Sequence, residues 1–562
     1  MKIWTFIFIV LMLLNFYGVN CVKCLANKLK IKSIDLKLKV TKNLASSSSY
    51  TPIKIGFDFT TLTKPSSMSS SQFSAIKSLL RETRKEFSKI LQVKHENFDL
   101  TDYKDTIMKN CELDKIGKDY GNFLVTNDLI IFPMFENLEN EVIASASHCL
   151  TRGGSQPIAG VLYISTNFYS ERTNRDLYLK KIIFHEIIHI LGFNPEILRL
   201  KNMMQTIGSI TYVNSQNVLS KAKSYFDYSE INGIPLENQD GTNGYHWEAR
   251  YMLGDIMISP DFPEVAISDM TLALLEDIGF YKVNYYSGGM FKFGKSKGRD
   301  FFTKDCIRNS KSTFEEFCDI KDEAKCSTSR NIKSSCYFNE YSSDLPEEYQ
   351  YFTNPKEGGY QYADYCPVPY EQYSSKNYYP NHCQYGVSEL PSYYGEKIDK
   401  DSLCFISSLI PTSSTEEETN QIPICYGVEC SSSNLIIKTG SQNFTCPTNG
   451  GSFTPSGFKG SIICPKYSDI CSSEIICNEM FSCFTQLAKK DNYNYDVSYY
   501  DYEGEPYEEN EENETDDSDT IGPIDPDNGS SDSGFAGWKI ALCIILPLMA
   551  VGLIIGLICG CK

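Results

Sequence analysis

The window DLYLKKIIFHEIIHIL, residues 176–191, contains neither Gly nor Pro, and Gly192 follows it directly. The spacing predicts a helix that stops at that glycine. Residues four apart share a helix face, so His185 and His189 aim their rings at a common point. Two neutral imidazoles from one turn supply half of a tetrahedral zinc site. Glu186 stands beside them, where it can take the proton of a water activated there. A catalytic zinc also needs a third protein ligand and an open position. The chain has only six His, at 95, 148, 185, 189, 246 and 382. His246 is the candidate third ligand, because it lies in GTNGYHWEAR and Met257 follows eleven residues on in GDIMISP. His95, His148 and His382 have no motif around them.

The segments HEIIHILGF, YHWEAR and DIMISP stand in that order. This arrangement resembles the leishmanolysin family of zinc metalloproteases, metzincins in which a long insertion separates the zinc helix from the third His. The shorter metzincin spacing would put that His at 195, where this chain has Pro195. The resemblance covers roughly residues 52–300 and extends loosely to 483. It implies an α+β, metzincin-like catalytic domain followed by a disulfide-rich, mostly β/loop C-terminal domain. It further implies one Zn²⁺ per chain on His185, His189 and His246, with Glu186 as general base and Met257 as a Met turn beneath the metal. The substrates it implies are proteins or peptides. Cys111 and Cys149 stand where the family has an N-terminal disulfide, and GVLYIST stands where metzincins place the edge strand that aligns substrate. One departure concerns latency. Family members have a longer pro-region with a zinc-ligating Cys, whereas Cys24 is the sole candidate here, either a switch thiol or a surplus cysteine.

Compartment follows from the ends and the cysteines. One Lys and an apolar run from Ile3 to Tyr17 read as a signal peptide over 1–21. Of 21 Cys, 16 lie between Cys111 and Cys483. In a secreted chain that even set implies up to eight disulfides, with connectivity left open. Asn443, Asn513 and Asn528 begin glycosylation sequons. At the far end Ile540–Cys561 is a 22-residue stretch free of charge. It reads as a membrane helix or a GPI-signal tail over 538–561, leaving the ectodomain outside the cell.

The remaining segments are a Lys-rich pro-segment or linker over 22–50, catalytic subdomains over 51–200 and 201–300, and the Cys-rich domain over 301–490. An acidic, solvated stalk is expected over 491–537. The formal net charge is −18, and residues 491–534 hold sixteen Asp/Glu without Lys or Arg. The rest of the chain is therefore near neutral, and the acidic balance argues against a nucleic-acid binder. PIKIGFDF, NDLIIFPMF and AGVLYIST read as strands, and residues 66–93 as an amphipathic helix burying Ile76, Leu79, Leu80, Phe87 and Ile90. The expected function is a zinc-dependent endopeptidase tethered at the cell surface. The alternative is a surface adhesin that works through the Cys-rich domain.

Overall fold

The computed structural model describes residues 33–36, 49–503 and 506–507, except 97, 117–123, 126, 139–141, 167–173, 239–243, 260–261, 263–264, 372–377, 418–419, 441, 472–476 and 478. The expected signal peptide, Cys24, the sequons at Asn513 and Asn528 and the apolar tail over 538–561 lie outside the described residues. Among the described residues no helix is long and apolar enough to cross a membrane.

The N-terminal part is α+β. Its elements are β1 (Ile34–Leu36), β2 (Ile55–Phe57), helix α1 (Ser70–Ile90), β3 (Leu129–Glu136), β4 (Ala144–Arg152), β5 (Gln156–Ser165) and helix α2 (Arg175–Leu191). A reciprocal capping box starts α1: the Ser69 hydroxyl accepts from the Gln72 N–H, and the Gln72 side chain accepts from the Ser69 N–H. The strands form one sheet in the order β1-β4-β5-β3-β2. Only the β4–β5 pairing is antiparallel.

Alternation along β3 and β5 divides the interior in two. Ile131, Leu162 and Ile164 face α1 and α2, with Phe87 of α1 stacked on Phe184 of α2 at 4.3 Å. Ile130, Phe132, Val161 and Tyr163 fill a second core on the other face. The Cys111–Cys149 disulfide lies within that second core.

Two sequence expectations change here. GVLYIST belongs to β5, which is paired on both sides and is therefore not an edge. Its unbroken apolar character fits a strand buried on both faces. The antiparallel strand beyond it is β4, whose outer side pairs, among the described residues, with β1 alone at Leu150–Arg152. The Lys-rich segment over 22–50 thus supplies an edge strand, fixed where the Asp35 carboxylate accepts from the Gly154 N–H at 2.9 Å.

After α2 come α3 (Pro195–Leu200), a hairpin of β6 (Met204–Ile207) and β7 (Ile210–Val213), α4 (Gln216–Phe226) and α5 (Asp269–Asp277). One apolar core runs from Ile53 through Met257 and Phe301 to Ala488, so it crosses the expected boundaries at 200 and 300. A separate core, including Phe405, Ile424, Tyr426 and Ile437, underlies a six-stranded antiparallel sheet between Ser402 and Cys464. Seven disulfides tie this C-terminal region: 306–366, 318–336, 326–404, 383–425, 430–471, 446–464 and 477–483.

The start of the acidic segment is not a solvated stalk. Residues 491–503 return to α1 and β2, where Asp501 is buried against Arg84 and the Tyr502 N–H donates to the Phe57 carbonyl at 3.0 Å. Five tyrosines lie between 493 and 502 and supply the apolar surface that this packing needs. Averaged over 491–534, the charge conceals them.

Candidate metal centre

Helix α2 runs along the sheet and is buried through its second half, from Ile183 to Leu191. It comes close to β5 because residue 160 is Gly; a Cβ there would lie 2.5 Å from Ile190 Cγ2. Gly192 ends the helix at φ 133, a conformation few other residues adopt, and a Cβ there would meet Ile278 Cδ1 at 2.6 Å. The chain turns back at once, and the Phe193 carbonyl faces His189.

His185, His189 and His246 converge, with one ring nitrogen from each inside a cluster no more than 4.8 Å across. All three are buried. His185 Nδ1 donates to the Ile256 carbonyl at 2.5 Å, and His189 Nδ1 donates to the Phe193 carbonyl at 2.8 Å. Carbonyls only accept, so both Nδ1 atoms carry the hydrogen and both Nε2 lone pairs turn inward. These Nε2 atoms are 3.0 Å apart. Tetrahedral zinc with bonds of about 2.05 Å separates its ligand nitrogens by about 3.3 Å. Two lone pairs that face each other at this distance suit a cation between them, so the donor set fits zinc.

Electrostatics point the same way. Burial first, and then the neighbouring His246, push His185 down to about 3. Burial and the two other rings hold His189 well below its usual range. Both rings are neutral at pH 7, the form that ligates metal. Glu186 is buried beside them on α2.

His246 is brought in by a ladder of main-chain bonds. Its carbonyl accepts from the Glu237 N–H at 3.0 Å, and the following Trp247 N–H donates to the Met257 carbonyl at 2.9 Å. Met257 is buried and directly follows Ile256, whose carbonyl holds His185. The Met257 N–H donates in turn to Asp255 at 2.7 Å. Asp255 is buried, which pushes its carboxyl up to about 6 against hydrogen bonds from Ser268, Met257 and Thr271. Sequence reading passed over Asp255 and Thr271; the signal for Asp255 was a carboxylate two residues ahead of Met257 in an apolar run.

Near His246 a cleft of about 350 Å³ is lined by Pro195, Arg199, Asn202, Glu237 and Gly244. The other three His lie elsewhere. His95 pairs with Asp128 at 2.6 Å, His382 stacks on Tyr385, and His148 is buried in β4.

A family model described as leishmanolysin, peptidase M8, matches residues 73–477, a stretch that takes in all three His, Glu186 and Met257. This chain belongs to the leishmanolysin family. It is 28% identical to a leishmanolysin homolog of Crithidia fasciculata over 63% of its own length and 56% of that protein. It is 24% identical to leishmanolysin of Leishmania tropica, covering 62% of this chain and 55% of the relative. A ciliated left-right organizer metallopeptidase of Danio rerio is 28% identical over 59% of this chain and 53% of its own length. The chain thus spans little more than half the length of these three curated relatives.

Proposed function

We propose that this protein is a zinc-dependent endopeptidase, with one Zn²⁺ held by His185, His189 and His246. The observation that carries this reading is the cluster of three buried His on two segments, with Glu186 on the same helix turn. Bound there, zinc would polarise a scissile carbonyl and acidify the attacking water. Glu186 takes the proton of that water and delivers it to the leaving amine. The carbonyls of Ile256 and Phe193 keep the two helix imidazoles in the tautomer that ligates.

A peptide substrate would pair along the outer side of β4, over Ala144–Cys149, instead of along β5. Cys24 is proposed as the latency thiol, in a precursor that passes through the secretory pathway to a membrane-anchored place at the cell surface. Asn443 is exposed and open to glycosylation.

The test compares wild type with Glu186→Gln for zinc content and peptide cleavage. Zinc should stay at one equivalent, while cleavage falls at least ~10²-fold. Unchanged cleavage would remove Glu186 as the base, and a wild type that adheres to cells but cleaves nothing would favour the adhesin reading. In the precursor arm of the same assay, Cys24→Ser should be active while wild type is latent. A Cys24→Ser precursor that stays latent would rule out the thiol as the block.

A further inference from the structure

We infer that Asp255 is the positioning carboxylate of this metal centre, holding the His185 acceptor, the Met257 turn and the His246 strand in one register. The inference rests on the zinc reading of the three His. Asp255 touches none of them; it acts through the peptide units beside them.

Its carboxylate receives donors only. Oδ1 accepts from the Met257 N–H at 2.7 Å, Oδ2 accepts from the Ser268 N–H at 2.9 Å, and the Thr271 hydroxyl lies 2.9 Å from each oxygen. Thr271 Oγ1 also receives the Trp247 indole N–H at 2.8 Å. An indole nitrogen can only donate, and the Ser268 hydroxyl is farther off at 3.5 Å, so the single Thr271 hydroxyl proton points to Asp255. The chain Trp247 → Thr271 → Asp255 therefore has one direction, and it ends on a group that must accept at both oxygens. All of its side chains are buried.

Each end of that chain reaches a metal-site residue through one covalent step. Trp247 follows His246. Asp255 precedes Ile256, whose carbonyl accepts from His185 Nδ1 and whose N–H donates to the Ala266 carbonyl at 2.7 Å. Ser268 caps α5, its hydroxyl accepting from the Thr271 N–H at 3.1 Å. The Asp255 carboxylate thus fastens the N-terminus of α5 to both segments that complete the site begun by α2. An Asn at 255 keeps the shape but fails chemically. Whichever way its amide turns, an NH₂ group faces the N–H of Met257 or of Ser268.

The test measures zinc affinity of the full-length chain by chelator competition, alongside the visible spectrum of the Co²⁺-loaded protein. Asp255→Asn should weaken zinc binding by ~10- to 100-fold and shift the Co²⁺ bands. Asp255→Glu, which keeps two acceptor oxygens, should recover part of the loss. Thr271→Val is nearly isosteric and tests the same chain if Asp255→Asn does not fold; it should weaken zinc several-fold. A role in folding alone would lower the urea midpoint and leave zinc affinity and the Co²⁺ spectrum of the folded variants unchanged, and that result overturns the inference. A wild-type chain that binds no zinc overturns the metal reading itself, which is a separate and recognisable outcome.

Discussion

His185 and His189 keep the tautomer that turns both Nε2 lone pairs inward because each Nδ1 hydrogen is committed to a carbonyl fixed by the local fold. The helix part of the site is legible in sequence, since a spacing of four on a Gly-free window suffices to place two rings and a carboxylate together. The Ile256 and Asp255 partners are not legible, because they approach from more than sixty residues away and no local spacing encodes their contact. His148 is the reverse case, a histidine whose importance lies in burial alone. It is 2% exposed, and among the described residues Nδ1 has no hydrogen-bond partner and a Glu196 carboxylate oxygen lies 3.9 Å from Nε2. Burial pushes its imidazole from 6.5 down to about 4. Above pH 6.5 both native and unfolded chains hold this group neutral, so it adds no pH dependence there. As pH falls, the unfolded chain takes up the proton and the native one does not, so stability drops until both are protonated near pH 4. At pH 5 this amounts to about 2 kcal/mol. Urea unfolding at pH 7 and pH 5 should show His148→Leu losing about that much less stability than wild type on acidification. Equal losses in the two proteins would show that His148 does not titrate this way.

At the scale of elements, the hydrophobic pattern identified β2, β3, β5, α1 and α2 as elements, and left their order in the sheet undetermined. Alternation and apolar runs report burial, and a strand paired on both sides looks the same as one at an edge when both are buried. The edge position of GVLYIST was implied by the family resemblance alone, and β4 lies outside it. The close approach of α2 to the sheet was equally invisible, for it depends on the missing side chain at Gly160. Gly160→Ala would press a methyl carbon against Ile190 Cγ2 at 2.5 Å, on the residue next to His189. A β-branched residue on a helix keeps one strongly preferred χ1, and Ile190 Cδ1 and Cγ1 also crowd the position at 3.0 and 3.1 Å, so α2 must move off β5. We expect a loss of about 1–3 kcal/mol in urea unfolding. A Gly160→Ala protein as stable as wild type would show that the helix and sheet have slack at this crossing.

Over the whole molecule, Arg84 and Asp501 are joined across the chain by a contact that composition argued against. Residues 491–503 were expected in a solvated stalk; their first described function is to close the N-terminal sheet and α1. Arg84 is fully buried, and burial lowers its pKa while Asp501 opposes that effect. Asp501 bonds Arg84, accepts from Arg81 Nε at 3.0 Å and accepts from the Phe57 N–H at 3.1 Å. Tyr499 covers the guanidinium at 4.1 Å and bonds Ser88 at 2.6 Å. Such a pair contributes little relative to an apolar replacement, because desolvating both ions offsets their attraction. Removing Asp501 is different, since it strands the buried Arg84 charge. Asp501→Ala should therefore cost about 3–5 kcal/mol, while Arg84→Met with Asp501→Leu should cost far less. Urea unfolding of wild type, Arg84→Met, Asp501→Leu and the double variant closes the cycle, with Asp501→Ala measured beside it. If Asp501→Ala lost under about 1 kcal/mol, water would be reaching Arg84 and the segment would not be sealed. The same arithmetic fixes where the chain can be cut. Ending the chain at Lys490 should lower the fold's stability by at least as much as Asp501→Ala.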